Sequence, residues 1–304
     1  MRFITKQIVF LLFLIAVTQS YSQQEPLYTQ YYNNFSLLNP AFVGSNGHFT
    51  ATANIRSQWA GEVGSPETQT FSLQGPAGKN VGLGISVVHD EVFIWKNTDI
   101  YADFSYSIQA SEEATLSFGL KVGGSFLNVD LSNLGISDDP YLNENTNQFN
   151  PNIGAGALYY TSKFYASIST VNILETKHYD ETSSSSTATD NMVFYLSSGY
   201  VFDLNETLKL RPSFLIRGVN GSSLSTDISA SFIWNNRLEF GIAHRIDASI
   251  SGLFQLRVNN HIKVGYSYDS LTNNNLGNYN NGSHEFSLMF DLGQTNTKTT
   301  PFYW

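Results

Sequence analysis

The sequence predicts an all-β fold: a transmembrane antiparallel β-barrel of about 14 strands with an irregular segment ahead of the first strand. Three observations lead there. Successive segments of about ten residues alternate apolar and polar side chains with period two. Aromatic residues make up 14% of the chain and charged residues only 13%, an odd balance for a water-facing exported domain. Turns between segments are short on one side and longer on average on the other, as in a barrel with one plain rim and one elaborated rim.

The chain opens "MRFITKQIVFLLFLIAVTQSYSQQ". Arg2 and Lys6 form a positive n-region, Ile8 to Val17 is unbroken apolar sequence, and Ser20-Tyr21-Ser22 supplies small residues for a signal peptidase. The expectation is a secretory signal peptide over 1–22, cleaved after Ser22. A run of that length rises about 15 Å as a helix, half of a hydrocarbon core of roughly 30 Å, so it is too short to span. No later apolar run approaches the length of a spanning helix. The chain has no Cys, which removes both a lipid-anchored cut site and a disulfide scaffold.

Residues 23–47 form the irregular segment. Phe35, Leu37, Leu38 and Phe42 follow neither period two nor a sustained helical period, and Asn39-Pro40 breaks the chain. Asn39 is placed to cap a turn with Pro40 pre-set at its first position. A segment this apolar should not dangle in water. The expectation is a compact piece folded against the lumen or the periplasmic rim, with those four apolar residues inside, as a plug or as a docking site.

The barrel proper is expected over 48–293, with a tail at 294–304. Alternation places strand cores at 48–58, 67–75, 80–89, 98–110, 114–126, 151–161, 163–171, 191–202, 206–218, 223–234, 237–245, 248–258, 261–270 and 284–293. In the fifth, Ala114, Leu116, Phe118, Leu120 and Val122 alternate with Thr115, Ser117, Gly119, Lys121 and Gly123. In the last, Phe286, Leu288, Phe290 and Leu292 share a face. One face is almost purely apolar across all strands. The other carries Ser, Thr, Gly and Asn with isolated charges of both signs: Arg56, Asp103, Lys121, Lys209, Arg211, Arg217, Glu239, Arg257 and Lys263. A soluble sandwich would put many charges on its polar face. A barrel turns the apolar face to lipid and the mixed face to its lumen, and closure removes the edges that lipid would penalise. An even strand number puts both chain ends at the short-turn, periplasmic rim.

Signals for chemistry are weak. The formal net charge is −9 and becomes more negative once Arg2 and Lys6 leave, which disfavours a nucleic-acid partner. His48, His89, His178, His244, His261 and His284 show no ligand spacing, and there is no H-E-x-x-H or G-x-S-x-G. "VGLGIS" at Val81 to Ser86 lacks the third glycine and the helix of a phosphate loop, so Gly82 and Gly84 read as small lumen-facing residues. Asp138, Asp139 and Glu144 cluster in the longest loop without calcium-loop spacing, and read as a solvated acidic surface. "SSSSTAT" at Ser183 to Thr189 reads as a loop tip. No catalytic residue, cofactor or metal is expected.

Two stretches carry a resemblance. "YTQYYNNFSLLNPAFVGSNG" precedes a first strand ending in "RSQW", and the chain closes in "TPFYW". This resembles the PorP/SprF family of the type IX secretion and gliding system. The matching positions are Gln30, Tyr31, Asn33 or Asn34, Leu38, Asn39, Pro40, Ala41 and Gly44, then Arg56, Gln58 and Trp59. The C-terminal match is partial, since Phe302 stands where a basic residue is expected. The resemblance implies a non-enzymatic integral outer-membrane protein that supports export or surface anchoring of specific adhesins carrying a sorting domain, with contacts to machinery components in the periplasm. The alternative is a porin or small-solute channel, because a barrel of this size encloses a lumen.

Overall fold

The computed structural model describes residues 28–130, 146–174, 177–178, 188–189, 192–219, 222–272, 281–293 and 300–301. Fourteen antiparallel strands form one closed sheet. In chain order they are β1 (Phe49–Ser57), β2 (Glu67–Pro76), β3 (Val81–Val92), β4 (Trp95–Gln109), β5 (Thr115–Val129), β6 (Thr146–Tyr160) and β7 (Phe164–Thr170). The second half comprises β8 (Val193–Tyr200), β9 (Leu208–Val219), β10 (Ser225–Trp234), β11 (Leu238–Arg245), β12 (Ser249–Arg257), β13 (Ile262–Leu271) and β14 (Ser283–Leu292). Each strand pairs with its neighbours in sequence, and β14 closes on β1 through pairs such as Ile55↔Phe286 and Arg56↔Glu285. Phe202–Asp203 adds a short pairing to β9, and Lys177–His178 pairs with Ala188–Thr189 in the connection after β7.

The period-two pattern becomes two surfaces. Outward side chains such as Ile55, Val122 and Ile242 are 53%, 60% and 67% exposed. Such an apolar exterior is stable only against lipid. Inward, the buried side chains are mostly Thr50, Thr52, Asn54, Ser72, Ser105, Ser229, Ser231 and Ser267 together with paired charges. The lumen wall is therefore largely polar, with its main apolar cluster over β6 to β9, where Leu158, Tyr165, Val193, Tyr195 and Leu215 turn inward, and single buried apolar side chains elsewhere, such as Tyr101, Ile233, Leu253 and Met289.

The rims differ as expected, with one exception. The Asn235-Asn236 turn between β10 and β11 has both residues at positive φ, 53° and 49°, with Arg237 N donating to Trp234 O at 3.0 Å. That is the reverse turn whose twist suits a two-strand hairpin. On the opposite rim β3 and β4 run on until only Phe93 and Ile94 join them. β4, β5 and β6 are 15 residues each, roughly 50 Å, against nine residues, roughly 30 Å, for β1. The ladder between β6 and β7 stops at Ala155↔Thr170, so the upper part of β6 stands above its neighbour. The signal peptide, the acidic loop with Asp138, Asp139 and Glu144, Ser183 to Thr187, and the terminal Phe302-Tyr303-Trp304 lie outside the described residues.

Candidate functional site

The segment from Tyr28 to Gly47 lies inside the barrel. It makes a 3-10 turn (Tyr31–Asn33), one helical turn α1 (Phe35–Leu38) and a second 3-10 turn (Pro40–Phe42). Asn39 caps the last of these: its Oδ1 accepts from Ala41 N at 2.9 Å, and Pro40 occupies the first position. The other side of the same amide donates to the wall, to Ala157 O at 3.2 Å and Ile168 O at 3.3 Å. One side chain thus shapes the segment and ties it to β6 and β7.

The segment has two chemical faces, and each meets a matching wall. Its apolar face stacks Phe35 on Phe42, with centroids 4.4 Å apart and planes 8° from parallel, and both rings meet the edge or face of Tyr165. Tyr31, Tyr32, Leu38 and Ala41 complete this cluster with Leu158, Val193, Tyr195 and Leu215 of the barrel. Phe35, Leu38 and Phe42 are buried as expected, while Leu37 is only half-buried. Tyr31 Oη donates to Tyr32 Oη at 3.0 Å, which lies 2.9 Å from Ser229 Oγ. The Arg211 guanidinium lies 4.4 Å from the Tyr32 ring centroid and is paired with Glu239.

The polar face meets β1, β2, β13 and β14. Arg56 Nη2 contacts Asp269 at 2.5 Å, and its Nη1 contacts Glu285 at 3.1 Å. The segment completes the cluster. Thr29 N and Gln30 N donate to the two oxygens of Glu285 at 2.8 and 3.2 Å, and Thr29 Oγ1 sits 2.7 and 2.9 Å from the Asp269 oxygens. Gln30 Nε2 also donates to Glu285 O at 2.9 Å. One guanidinium between two carboxylates leaves a negative charge over, and these amides and hydroxyl offset it by charge-assisted hydrogen bonds. Lower down, Asn33 donates to Ser287 at 2.9 Å, and Asn34 accepts from Ser72 at 2.9 Å.

The wall is pared to glycine where the segment's backbone comes closest. A Cβ on Gly119 of β5 would overlap the Pro40-Ala41 backbone, one on Gly82 of β3 would overlap Val43 O, and one on Gly156 of β6 would overlap Asn39 Oδ1. Gly44 itself has φ of 75°, and a Cβ there would come within 2.8 Å of Gly82 Cα. Gly82 and Gly84 are thus inward small residues, and Gly82 in particular makes room for the chain rather than for a phosphate.

Direction matters as much as content. Thr29 and Gln30 sit against Arg56, Asp269 and Glu285, near the ends of β1, β13 and β14 that bear long connections. Gly44 sits against Gln74 and Gly75, near the short-turn ends of β2 and β3. The segment is therefore not confined to the rim where β1 begins, as an entry from the periplasmic end suggested; it crosses the lumen. Of the expected family positions, Gln30, Tyr31, Asn39, Pro40, Ala41, Gly44 and Arg56 come together in this plug. Gln58 and Trp59 do not. β1 carries the chain to the far rim, where Gln58 N donates to Pro66 O at 2.9 Å and Trp59 begins a turn at φ of 50°. Sequence reasoning missed Thr29, Asp269, Glu285 and the inward Tyr165; none carries a local signal, because their partners are far away in the chain.

The inward histidine has a structural setting: His48 Nε2 lies 3.1 Å from Asp291. Among the described residues no group of three potential metal ligands converges.

Solved structures similar to this chain are outer-membrane barrels. A monoaromatic hydrocarbon channel, CymD, matches at TM-score 0.50 and 12% identity over 88% of this chain and 94% of that one. A Pseudomonas aeruginosa FadL homologue matches at TM-score 0.49 and 13% identity over 88% and 95%. The Acinetobacter baumannii outer membrane protein Omp33 matches at 0.47 and 10% over 81% and 98%. At these identities the likeness is one of fold. No curated protein matches the chain. The family model described as "Type IX secretion system membrane protein PorP/SprF" matches residues 20–290, which span the plug and the barrel together. With its plug residues and its closed outer-membrane barrel accounted for, the chain belongs to the PorP/SprF family of type IX secretion system membrane proteins.

Proposed function

We propose that this protein is a plugged, non-catalytic outer-membrane barrel that supports export or surface anchoring of specific adhesins by the type IX secretion system. The observation that carries the reading is the plug. A porin needs an open, wetted lumen, whereas here the Tyr28–Gly47 segment crosses it and fills its apolar side with Tyr31, Tyr32, Phe35 and Phe42. A barrel closed in this way serves as a platform: its outer connections face secreted cargo, and its periplasmic rim faces the machinery. The long connections and the tall β3 to β6 sheet supply the surface for a sorting-domain cargo. The signal peptide over 1–22 delivers the chain to the periplasm and is removed there.

Deleting the protein tests this reading. Surface proteomics of the deletion strain should lose one or a few adhesins while other exported cargo persists. An unchanged surface proteome would sink the proposal, and stable large conductance from the intact purified barrel would favour the channel alternative.

A further inference from the structure

β6 stands higher than the strand beside it. All of Thr146 to Tyr160 pairs with β5 in one unbroken register, but the ladder to β7 covers only Ala155 to Tyr160. The chain leaving β7 closes a little more of that side. Ile173 N donates to Ile153 O at 3.0 Å, and the Asn152 side-chain amide exchanges bonds of 3.1 Å with the Leu174 backbone. From Pro151 upward no described strand pairs with it. Backbone groups alternate sides along a strand. Ile153 O points to the open side, so the backbone groups of Pro151, Phe149 and Asn147 do as well, while those of the residues between them point to β5. Pro151 agrees, since a proline has no N–H and sits in a sheet where that position faces an open edge. Asn147 and Phe149 therefore offer two N–H groups, and with Pro151 three C=O groups, that no described residue meets.

This edge lies clear of lipid and is not protected. In the row Lys96–Asn128–Asn147 the outer face has turned polar, above the apolar level of Ile100 and Val122. Open edges are not tolerated within hydrocarbon. In water, natural edges are blunted by charges, bulges or brevity. Thr146 to Ile153 carries no charge, and its ladder to β5 has no bulge. Pro151, at the lower end, is its one blunting residue. Beside the edge Phe149 packs on Phe126 with centroids 4.7 Å apart, and the rings are 53% and 50% exposed. Donors and acceptors alternating at strand spacing match an extended polypeptide. A second barrel in the same membrane, related by an axis along the membrane normal, would bring identical residues level, whereas a parallel ladder staggers its facing groups by one residue. We infer that this edge is a strand-addition site. An extended segment of a secreted partner pairs antiparallel with Asn147 to Pro151 and sets an aromatic or β-branched side chain beside Phe149. The inference rests on the platform reading for the source of that segment, and adds how it is held.

Phe149→Pro tests the edge itself. It removes the outward N–H and puts ring carbon there, yet leaves the bonds to β5 intact, as Pro151 does two residues on. Phe149→Val keeps the N–H and changes only the side chain. Surface proteomics compares both variants with the wild-type and deletion strains, and heat-modifiable mobility on gels verifies each barrel. The adhesins that the deletion strain loses should fall about tenfold or more with Phe149→Pro, the scale of a lost backbone bond and a blocked approach, and less with Phe149→Val. A second measurement needs no variant. In residue-resolved hydrogen exchange of the detergent-purified wild type, the Asn147 and Phe149 amides should exchange about tenfold or more faster than those of Gln148 and Asn150, which face β5. A deletion strain that loses no adhesin overturns the platform reading, and the inference with it. Adhesins lost on deletion but kept by Phe149→Pro overturn the inference alone. Equal loss with Phe149→Val also overturns it, by making the ring rather than the edge the contact. So does equally slow exchange of all four amides, which would mean that the edge is already covered.

Discussion

At the scale of single residues, the plug is held by side chains whose partners are buried with them. Arg56 is the clearest case, with both of its carboxylate partners as inaccessible as itself. Arg56→Gln would leave Asp269 and Glu285 facing each other with one amide between them. Removing one member of a buried ionic group costs about 3–5 kcal/mol. The expected outcome is an unfolding free energy in denaturant lower by that amount, followed by the mobility shift of heat-modifiable barrels on gels. A loss below about 1 kcal/mol, the level of a surface pair, would mean the cluster is solvated. Gly119 makes a different prediction. Gly119→Val places branched carbon where the Pro40-Ala41 backbone runs. Overpacking of this kind costs about 1–3 kcal/mol, and here it falls on the seating of the plug rather than on the sheet. Wild-type protein should resist protease between Gln30 and Gly44, and the Val variant should be cut there while its barrel stays intact. Rapid cleavage of the wild type would contradict the seated plug.

At the scale of elements, the strands were legible and their surroundings were not. Alternation through Ala114, Leu116, Phe118, Leu120 and Val122 predicts a strand over 114–126, and β5 is Thr115–Val129. The pattern ends early because it reports lipid contact. Past Val122 the sequence reads Gly123-Gly124-Ser125 before Phe126 packs outward on Phe149, and beyond Phe126 the strand continues to Val129 by pairing with β4 and β6. The same limit hides the start of β4 at Trp95 and of β6 at Thr146. The segment before β1 could be read as apolar and compact, with Asn39-Pro40 as its turn, because those properties are local. Its path across the lumen is not local. It is set by glycines at 82, 119 and 156 and by Asp269 and Glu285, more than 200 residues beyond Arg56, and no single stretch displays that set. The element also predicts a function for its own absence. Excising residues 29–44 removes the ring cluster and uncovers the lumenal Ser and Thr rows. Planar-bilayer recordings of the excised barrel should show single-channel openings that the intact protein lacks. Indistinguishable traces from the two would show that the plug does not control the lumen.

At the scale of the whole molecule, the direction of the plug constrains how the barrel is oriented and assembled. Outer-membrane barrels place long connections outside and short turns in the periplasm. The plug enters its ionic clamp beside the long-connection ends and leaves at Gly44 beside the short-turn ends. β1 then starts at the short-turn rim and pairs with β14, the last strand. The closed ring therefore surrounds the segment along the length of its lumen. On that general orientation Tyr28 is expected to face the exterior mouth, and Ser45 the periplasmic one. The chain has no Cys, so single-cysteine variants report cleanly. Tyr28→Cys should react with a membrane-impermeant maleimide in intact cells, whereas Ser45→Cys should react only after the outer membrane is permeabilised. The reverse pattern would place the short turns outside and overturn the orientation. Labelling of both sites in intact cells would mean that the plug does not separate the two mouths, and the platform reading would give way to an open channel.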